Sequence, residues 1–411
     1  MGCARGFAVL GLERQLLGEL NEVDEQHFRA DVAEWLSANF PRSLAHKTAQ
    51  HFWASASTKV DPDFDLWLSR VVEKRWSAPT WPQEYGGGGL SKKHAKIIAE
   101  EMARIGAFDP NRTYGAMMLG PTLLEFANEE QKRRFVPPIA RGEARWCQGF
   151  SEPGAGSDLA SLQTKCADMG DHWLVNGQKI WTSGADKADW CFCLVRTDKS
   201  RKQGGISFLL IDMKSPGVEA RPIELISGAS HFCEVFFTDV RVPKENMIGE
   251  INEGWSIAKR LLQFERDSFA NGREETSSLA EMAKRYLGTD DRGRIADPEL
   301  RLRLVSNAIR ARAYAQTLVR AAAEAKANGG IGPANSALKN LGSDISQERL
   351  ELVVEICGAR GLGWDGDAYE AEELEATRSW LYSRAFSIYG GSYEIQKNIT
   401  AKRVLNLPPA S

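Results

Sequence analysis

The sequence has no metal-binding pattern. Its six histidines are scattered over 411 residues, with no HExxH arrangement and no Cys/His cluster. Cysteine itself is sparse and odd in number: Cys3, Cys147, Cys166, Cys191, Cys193, Cys233 and Cys357, with no CxxC spacing. That usage points to reduced, buried thiols in a cytoplasmic protein and away from a disulfide framework. Positive charge is not in excess, since 52 Lys and Arg face 55 Asp and Glu for a net charge of −3. No basic field therefore invites nucleic acid or an anionic membrane. Long hydrophobic runs are missing too. The early GFAVLGL (Gly6–Leu12) is too short to span a bilayer, lacks a cleavage site, and Gly6 breaks the myristoylation pattern. Residues 1–20 read as a ragged leader, and no segment repeats.

What remains is an ordinary globular composition, 43% hydrophobic and 26% charged, on a chain long enough for two or three domains. Three textures follow one another, giving an α+β fold class. Residues 21–145 read as helical, with Phe28, Val32, Trp35 and Leu36 in helical register and a second amphipathic stretch over 92–107. APTWPQEYGGGGL (78–90) breaks the helices between them. Residues 146–250 read as a compact β-domain. HWLVNGQKI predicts a turn at Asn176-Gly177, and WCFCLVRT alternates so that Cys191 and Cys193 share a side. Residues 251–408 return to the helical period in segments 255–287, 297–327, 332–359 and 371–404, which predict a bundle.

One position conflicts with its own pattern. Ala258, Leu261 and Leu262 make an apolar stripe that Phe269 continues, and Glu265 lies on the stripe at i+7 from Ala258. A carboxylate there is costly unless it is paired or neutralised. Two readings stand: an edge residue paired with a nearby Arg, or a functional acid.

The densest signal is Phe150-Ser-Glu-Pro-Gly-Ala-Gly-Ser-Asp158 followed by Gly177-Gln-Lys-Ile-Trp-Thr-Ser-Gly184. Gly154 and Gly156, with the hydroxyls of Ser151 and Ser157, allow close approach to a planar or phosphate-rich ligand. Strands follow where a dinucleotide-binding fingerprint would place a helix. Together with FANEEQKRRFVPPIARGEARWCQG, TWPQEYGG, FFTDVRVPKENMIGEINEGW and the terminal IYGGSYEIQKNITAKRVLNLP, the block resembles the acyl-CoA dehydrogenase family over residues 25–408.

The resemblance implies an N-terminal helical domain, a central β-barrel or sandwich and a C-terminal four-helix bundle. It also implies FAD and α,β-dehydrogenation of an acyl-CoA thioester, with an electron-transferring flavoprotein as acceptor. Trp181 matches the aromatic residue beside the isoalloxazine and Ser183 the hydroxyl at flavin N5. Gln148, Phe150 and Ser151 match the flavin-lining strand, and Ser157 a position near CoA and the cofactor phosphates. Many family members carry the base in a Tyr-Glu-Gly-Thr loop. Here Tyr389-Gly390-Gly391-Ser392 puts glycine at that place, leaving Gly390 its backbone N–H as the implied oxyanion donor. The isovaleryl- and long-chain-type branch carries the base on a helix before an Arg, which Glu265-Arg266 matches. The family pattern assigns Ser392, Glu394, Glu355 and Gly358 to FAD, and Arg266, Tyr389, Gly390 and Ser157 to substrate.

Two departures lie in the bundle. DPELRLRL (297–304) does not keep the Arg that the family offers to a neighbouring FAD, although Arg301 or Arg303 can substitute. Glu355 and Ala359 replace the usual Gln and Gly. The C-terminal loop is most similar to steroid-side-chain and pimeloyl-CoA dehydrogenase subunits. That implies a homodimer, a homotetramer or an α2β2 heterotetramer. The alternatives are a same-fold flavin oxidase or monooxygenase, and a FAD- or CoA-binding subunit of a heteromer.

Overall fold

The computed structural model describes residues 25–45, 47, 61–270, 279–328 and 335–408; the leader over 1–20 lies outside them. The first helices are α1 (25–39), α2 (Pro62–Glu73), α3 (Lys92–Arg104), α4 (Gly120–Phe126) and α5 (Glu129–Ala140). Three of them start where the sequence supplies a side-chain cap. Asp61 accepts from the amides of Asp63 and Phe64, Ser91 from His94, and Asn128 forms a capping box with Gln131. The stripe expected on α1 is present: Val32 and Leu36 are buried, with Phe28 and Trp35 packed beside them. Helix α3 stops at Arg104, three residues short of the periodic stretch, because Gly106 takes a left-handed φ of 72°.

Eight strands follow: β1 (Trp146–Gly149), β2 (Lys165–Asp168), β3 (His172–Ser183), β4 (Trp190–Arg196), β5 (Ile206–Asp212), β6 (Val218–Ile223), β7 (Phe232–Pro243) and β8 (Met247–Ile248). The sheet runs β6-β7-β3-β2-β4-β5-β8, with β1 alongside β4. It curls until β1 touches β3 and β5 touches β7. Both faces are buried. Along β4, Phe192 and Leu194 enter a core shared with α4 and α5, while Cys191, Cys193 and Val195 enter the core on the other face. The expected alternation of the two cysteines therefore holds. Among the described residues all six cysteines are buried free thiols, and burial pushes the Cys166 thiol up to about 12.

The turn expected at Asn176-Gly177 does not form. Strand β3 runs unbroken for twelve residues, and the turn lies before it, at Gly170 with φ 91°. Asn176 reaches sideways instead: its amide donates to Asp239 Oδ1 at 3.0 Å and its oxygen accepts from the Asp239 N–H at 2.9 Å. Gly177 is needed for closeness, since a Cβ there would meet Thr164 Cα at 2.6 Å.

Helix α6 (Gly254–Ala270) starts flush against β5, where a Cβ on Gly254 would meet Ser207 at 2.4 Å. It drives Ile257, Ala258 and Leu261 into the core of the sheet's helix-covered face. The remaining helices are α7 (Leu279–Leu287), α8 (Pro298–Asn328), α9 (Asn335–Cys357), α10 (Ala371–Tyr382) and α11 (Tyr393–Arg403). Helix α9 is central and touches α7, α8, α10 and α11. The chain divides into two compact units. One holds the described residues up to Pro222 together with His231–Ser268; the other holds Ile223–Ser230 and the described residues from Phe269 on.

Candidate functional site

Strand β3 carries the most telling residue. Opposite β7 the register runs Lys179↔Val235 and then Thr182↔Cys233, so β3 holds one extra residue between them. Trp181 sits in that bulge with φ 60°, a conformation that costs a large side chain energy, and the residue is 54% exposed. Simple alternation would send Trp181 inward with Trp173, Val175 and Lys179, which are all buried. The bulge turns it out, where the edge of Phe232 supports it at 6.1 Å between centroids. Ser183 follows, half-buried and paired with Phe232 in the ladder.

Beside β3 lie β1 and the loop after it. Gln148 is half-buried opposite Phe192. The Phe150 ring belongs to the core, edge-on to Phe192 and Phe208, so only its backbone and Ser151 face the strand surface. The Ser151 carbonyl accepts from the Ile180 N–H at 2.9 Å, tying this segment to β3 just before Trp181. The loop then turns tightly, with Glu152 and Ala155 exchanging both backbone bonds. Gly154, Gly156 and Gly184 have open space where a Cβ would stand, and Ser157 is exposed. A cleft of about 310 Å³ opens under the loop, lined by Glu152, Pro153, Gly154, Ser161, Gln163, Thr164, Gly177 and Gln178.

One pair missed by the sequence reading sits at the neck of this loop. Lys179 is fully buried and donates to Glu152 Oε1 at 2.8 Å and to the Phe150 carbonyl at 3.2 Å. Glu152 also accepts from the N–H groups of Gln163 (2.6 Å) and Thr164 (2.9 Å). Burial pushes the Glu152 carboxyl up, but the Lys179 charge and these hydrogen bonds outweigh it and hold the group below the usual range. The available signal was a lysine at an inward phase of a strand pattern.

Of the other assigned residues, Glu265 and Arg266 belong to the β-bearing unit and the rest to the helical unit. Gly390 takes φ 64° and Gly391 φ 89°. A side chain at 390 would have room, meeting only Lys339 Cε at 3.8 Å, but its backbone conformation favours glycine. Gln396 pins the loop by donating to the Gly390 carbonyl at 2.8 Å, and the exposed Tyr389 ring stands edge-on to Phe386 at 5.7 Å. Ser392 caps α11 by accepting from the Ile395 N–H. Glu394 is exposed in the first turn of α11; its own backbone N–H and the Ser392 hydroxyl hold its carboxyl low. Glu355 is exposed and paired with Arg303 at 2.6 Å, while Arg301 donates to the Ile295 carbonyl at 2.7 Å. So the Arg303 charge is already matched by the carboxylate that replaces the family's Gln. Gly358 has φ 57° and open space around it. Glu265 and Arg266 lie in α6, whose helical backbone keeps Glu265 in register with Ala258 and Leu261; their side chains fall outside the described part.

A turned-out indole, neighbouring hydroxyls and an open glycine loop suit a planar ring system with phosphates attached, as a flavin nucleotide has. Among the described residues no group of His, Cys, Asp and Glu is placed to hold a metal, and no helix is long and apolar enough to cross a membrane.

The family models for the acyl-CoA dehydrogenase N-terminal, middle and C-terminal domains match residues 22–143, 147–240 and 252–405. Acyl-CoA dehydrogenase IpdE1 of Mycobacterium tuberculosis is 39% identical, over 94% of this chain and 98% of its own. Among solved structures, the Tcur3481-Tcur3483 steroid ACAD has a TM-score of 0.76 at 25% identity, covering 94% of this chain and 98% of that one. The ChsE4-ChsE5 complex from Mycobacterium tuberculosis has a TM-score of 0.71 at 27% identity, with the same coverage. The chain belongs to the acyl-CoA dehydrogenase family, whose members are FAD-dependent oxidoreductases acting on CH–CH groups.

Proposed function

We propose that this chain binds FAD and converts a bulky acyl-CoA thioester into its trans-2-enoyl-CoA. The observation that carries the reading is Trp181, a large aromatic residue held out of its core by a strained bulge, next to Ser183 and the open loop of Ser157. FAD, when bound, supplies the hydride acceptor at N5. The chain's own residues supply the rest. The α-C–H of a thioester is weakly acidic, so its proton must go to an ionised carboxylate while charge builds on the carbonyl oxygen. Glu265 takes that proton, and the Gly390 N–H donates to the oxygen. Arg266, Tyr389 and Ser157 hold the CoA thioester. Gln148, Phe150, Ser151, Trp181 and Ser183 would line the flavin, and Glu355, Gly358, Ser392 and Glu394 would also contact the FAD.

A glycine at position 390 leaves the loop without a side chain, which favours a branched or ring-bearing acyl group, and the steroid ACAD likeness supports a steroid side chain. Electrons pass to an electron-transferring flavoprotein in the cytoplasm. The three-part division 21–145, 146–250 and 251–408 belongs to this reading. So does assembly into a homo-oligomer or a heterotetramer with a paralogous chain, supported by the exposed Leu302, Val305, Ile309 and Val319 on α8.

Anaerobic titration of the yellow holoprotein with a panel of acyl-CoA thioesters tests it. Bleaching by one class of acyl group is expected. Rapid reoxidation by oxygen without any acyl-CoA reduction would favour the oxidase alternative. Failure to retain FAD except in the presence of a paralogous chain would favour the partner-subunit alternative.

A further inference from the structure

Outside the residues assigned by the family pattern, the Lys179–Glu152 pair is the most deeply buried ion pair among the described residues of the β-bearing unit. A buried ammonium needs compensation on every side, and Lys179 finds it in two places: the Glu152 carboxylate and the Phe150 carbonyl. Glu152 in turn gathers the N–H groups of Gln163 and Thr164, so one carboxylate closes the loop 152–163 at its neck. Both ends of that loop are thereby fastened to a single point on β3, two residues before the bulge at Trp181. The Ser151 carbonyl repeats the link one residue later, through the Ile180 N–H.

We propose that Lys179 and Glu152 are positioning residues for the flavin-side wall, fixing the distance and angle between the Ser151–Ser157 loop and the Trp181–Ser183 segment. The inference rests on the FAD-binding reading above. Neither side chain touches the reacting atoms. Their effect passes through Phe150, Ser151 and the β3 bulge. Loss of the pair leaves only the Ser151–Ile180 bond between loop and strand, so the two are held less rigidly, and a flavin held between them loses affinity and a defined N5 environment.

The double variant Lys179→Met/Glu152→Gln separates positioning from mere stability. Removing both charges together leaves no unpaired ion, so the apo-protein should melt close to the wild type. A thioether has no proton to donate to the Phe150 carbonyl or to residue 152, so the side-chain tie between loop and strand is gone and only the Ser151–Ile180 main-chain bond remains. FAD affinity, followed by flavin fluorescence, is expected to fall about tenfold or more, with a shifted flavin reduction potential. With acyl-CoA, kcat should drop while KM holds. A double variant with wild-type FAD affinity and potential overturns the proposal and leaves the FAD reading intact; a wild-type protein that binds no FAD overturns the reading itself. If the double variant does not fold, Lys179→Met alone carries the same measurement, since Glu152 keeps the Gln163 and Thr164 N–H groups and can take up a proton, and unchanged FAD affinity in it overturns the proposal.

Discussion

The two compact units treat apolar surface and charge in opposite ways. In the β-bearing unit, strand β4 sends side chains into two cores at once, and the Lys179–Glu152 pair is sealed from solvent. In the helical unit, α8 buries Leu300 and Leu304 but leaves Leu302 70% and Ile309 62% exposed, and Arg303–Glu355 and Arg310–Glu348 lie at the rim. A curled sheet closes on itself and covers both faces from within one chain. A long helix has more perimeter than its neighbours can cover, and its remaining stripe suits another subunit.

The largest expected effect falls on α6, the helix that leaves the sheet core and runs on to Ala270. Glu265→Gln should keep FAD and the fold but slow anaerobic flavin reduction by about 10²–10⁴-fold, measured by stopped-flow absorbance. Normal reduction would remove Glu265 from the mechanism. Next comes stability. Phe208→Ala, in the doubly covered sheet, should cost about 3–5 kcal/mol in a urea titration. Ile309→Ala should change the subunit's own stability by no more than about 0.5 kcal/mol, yet shift sedimentation toward smaller species. Equal costs at the two sites would erase the contrast between the units.

Smaller and opposite effects should appear with pH. Burial pushes Asp109, after α3, up to about 6 from its ordinary 3.8. The folded chain then holds a proton that the unfolded chain releases, so this group's share of stability falls as pH rises from about 4 to about 6. Asp109→Asn should raise the urea midpoint at neutral pH and flatten that limb. Glu373, in the helical unit, is held at about 2, below its ordinary 4.5, by Arg360, by the Glu370 N–H and by Tyr286. Its contribution is complete above the unfolded value and is lost as pH falls toward 2. Glu373→Gln should lower the midpoint at neutral pH and flatten the acid limb. The least effect is expected from Arg303→Gln, since its partner Glu355 is itself exposed; FAD content read by absorbance should change by less than about twofold.

Much of this is legible in the sequence. The three textures, the α1 stripe, the cysteine alternation on β4 and the motif block all depend on local spacing, which a sequence records directly. The turn at Asn176-Gly177 failed because an Asn-Gly pair serves equally well inside a strand when a partner such as Asp239 waits across the ladder. Trp181 is the sharper case. Its identity was plain, but alternation alone sends it inward, and only the extra residue opposite β7 turns it out.

By itself, then, the sequence determined the family, the order of the three regions, the glycine at 390 and the carboxylate at 265, because these are matters of residue type and spacing. The tertiary structure alone decided that Lys179 and Glu152 meet, that Arg303 is matched by Glu355, and that the indole of Trp181 leaves the core. Each depends on segments distant along the chain being brought to one place, and on a ladder register that no local pattern encodes.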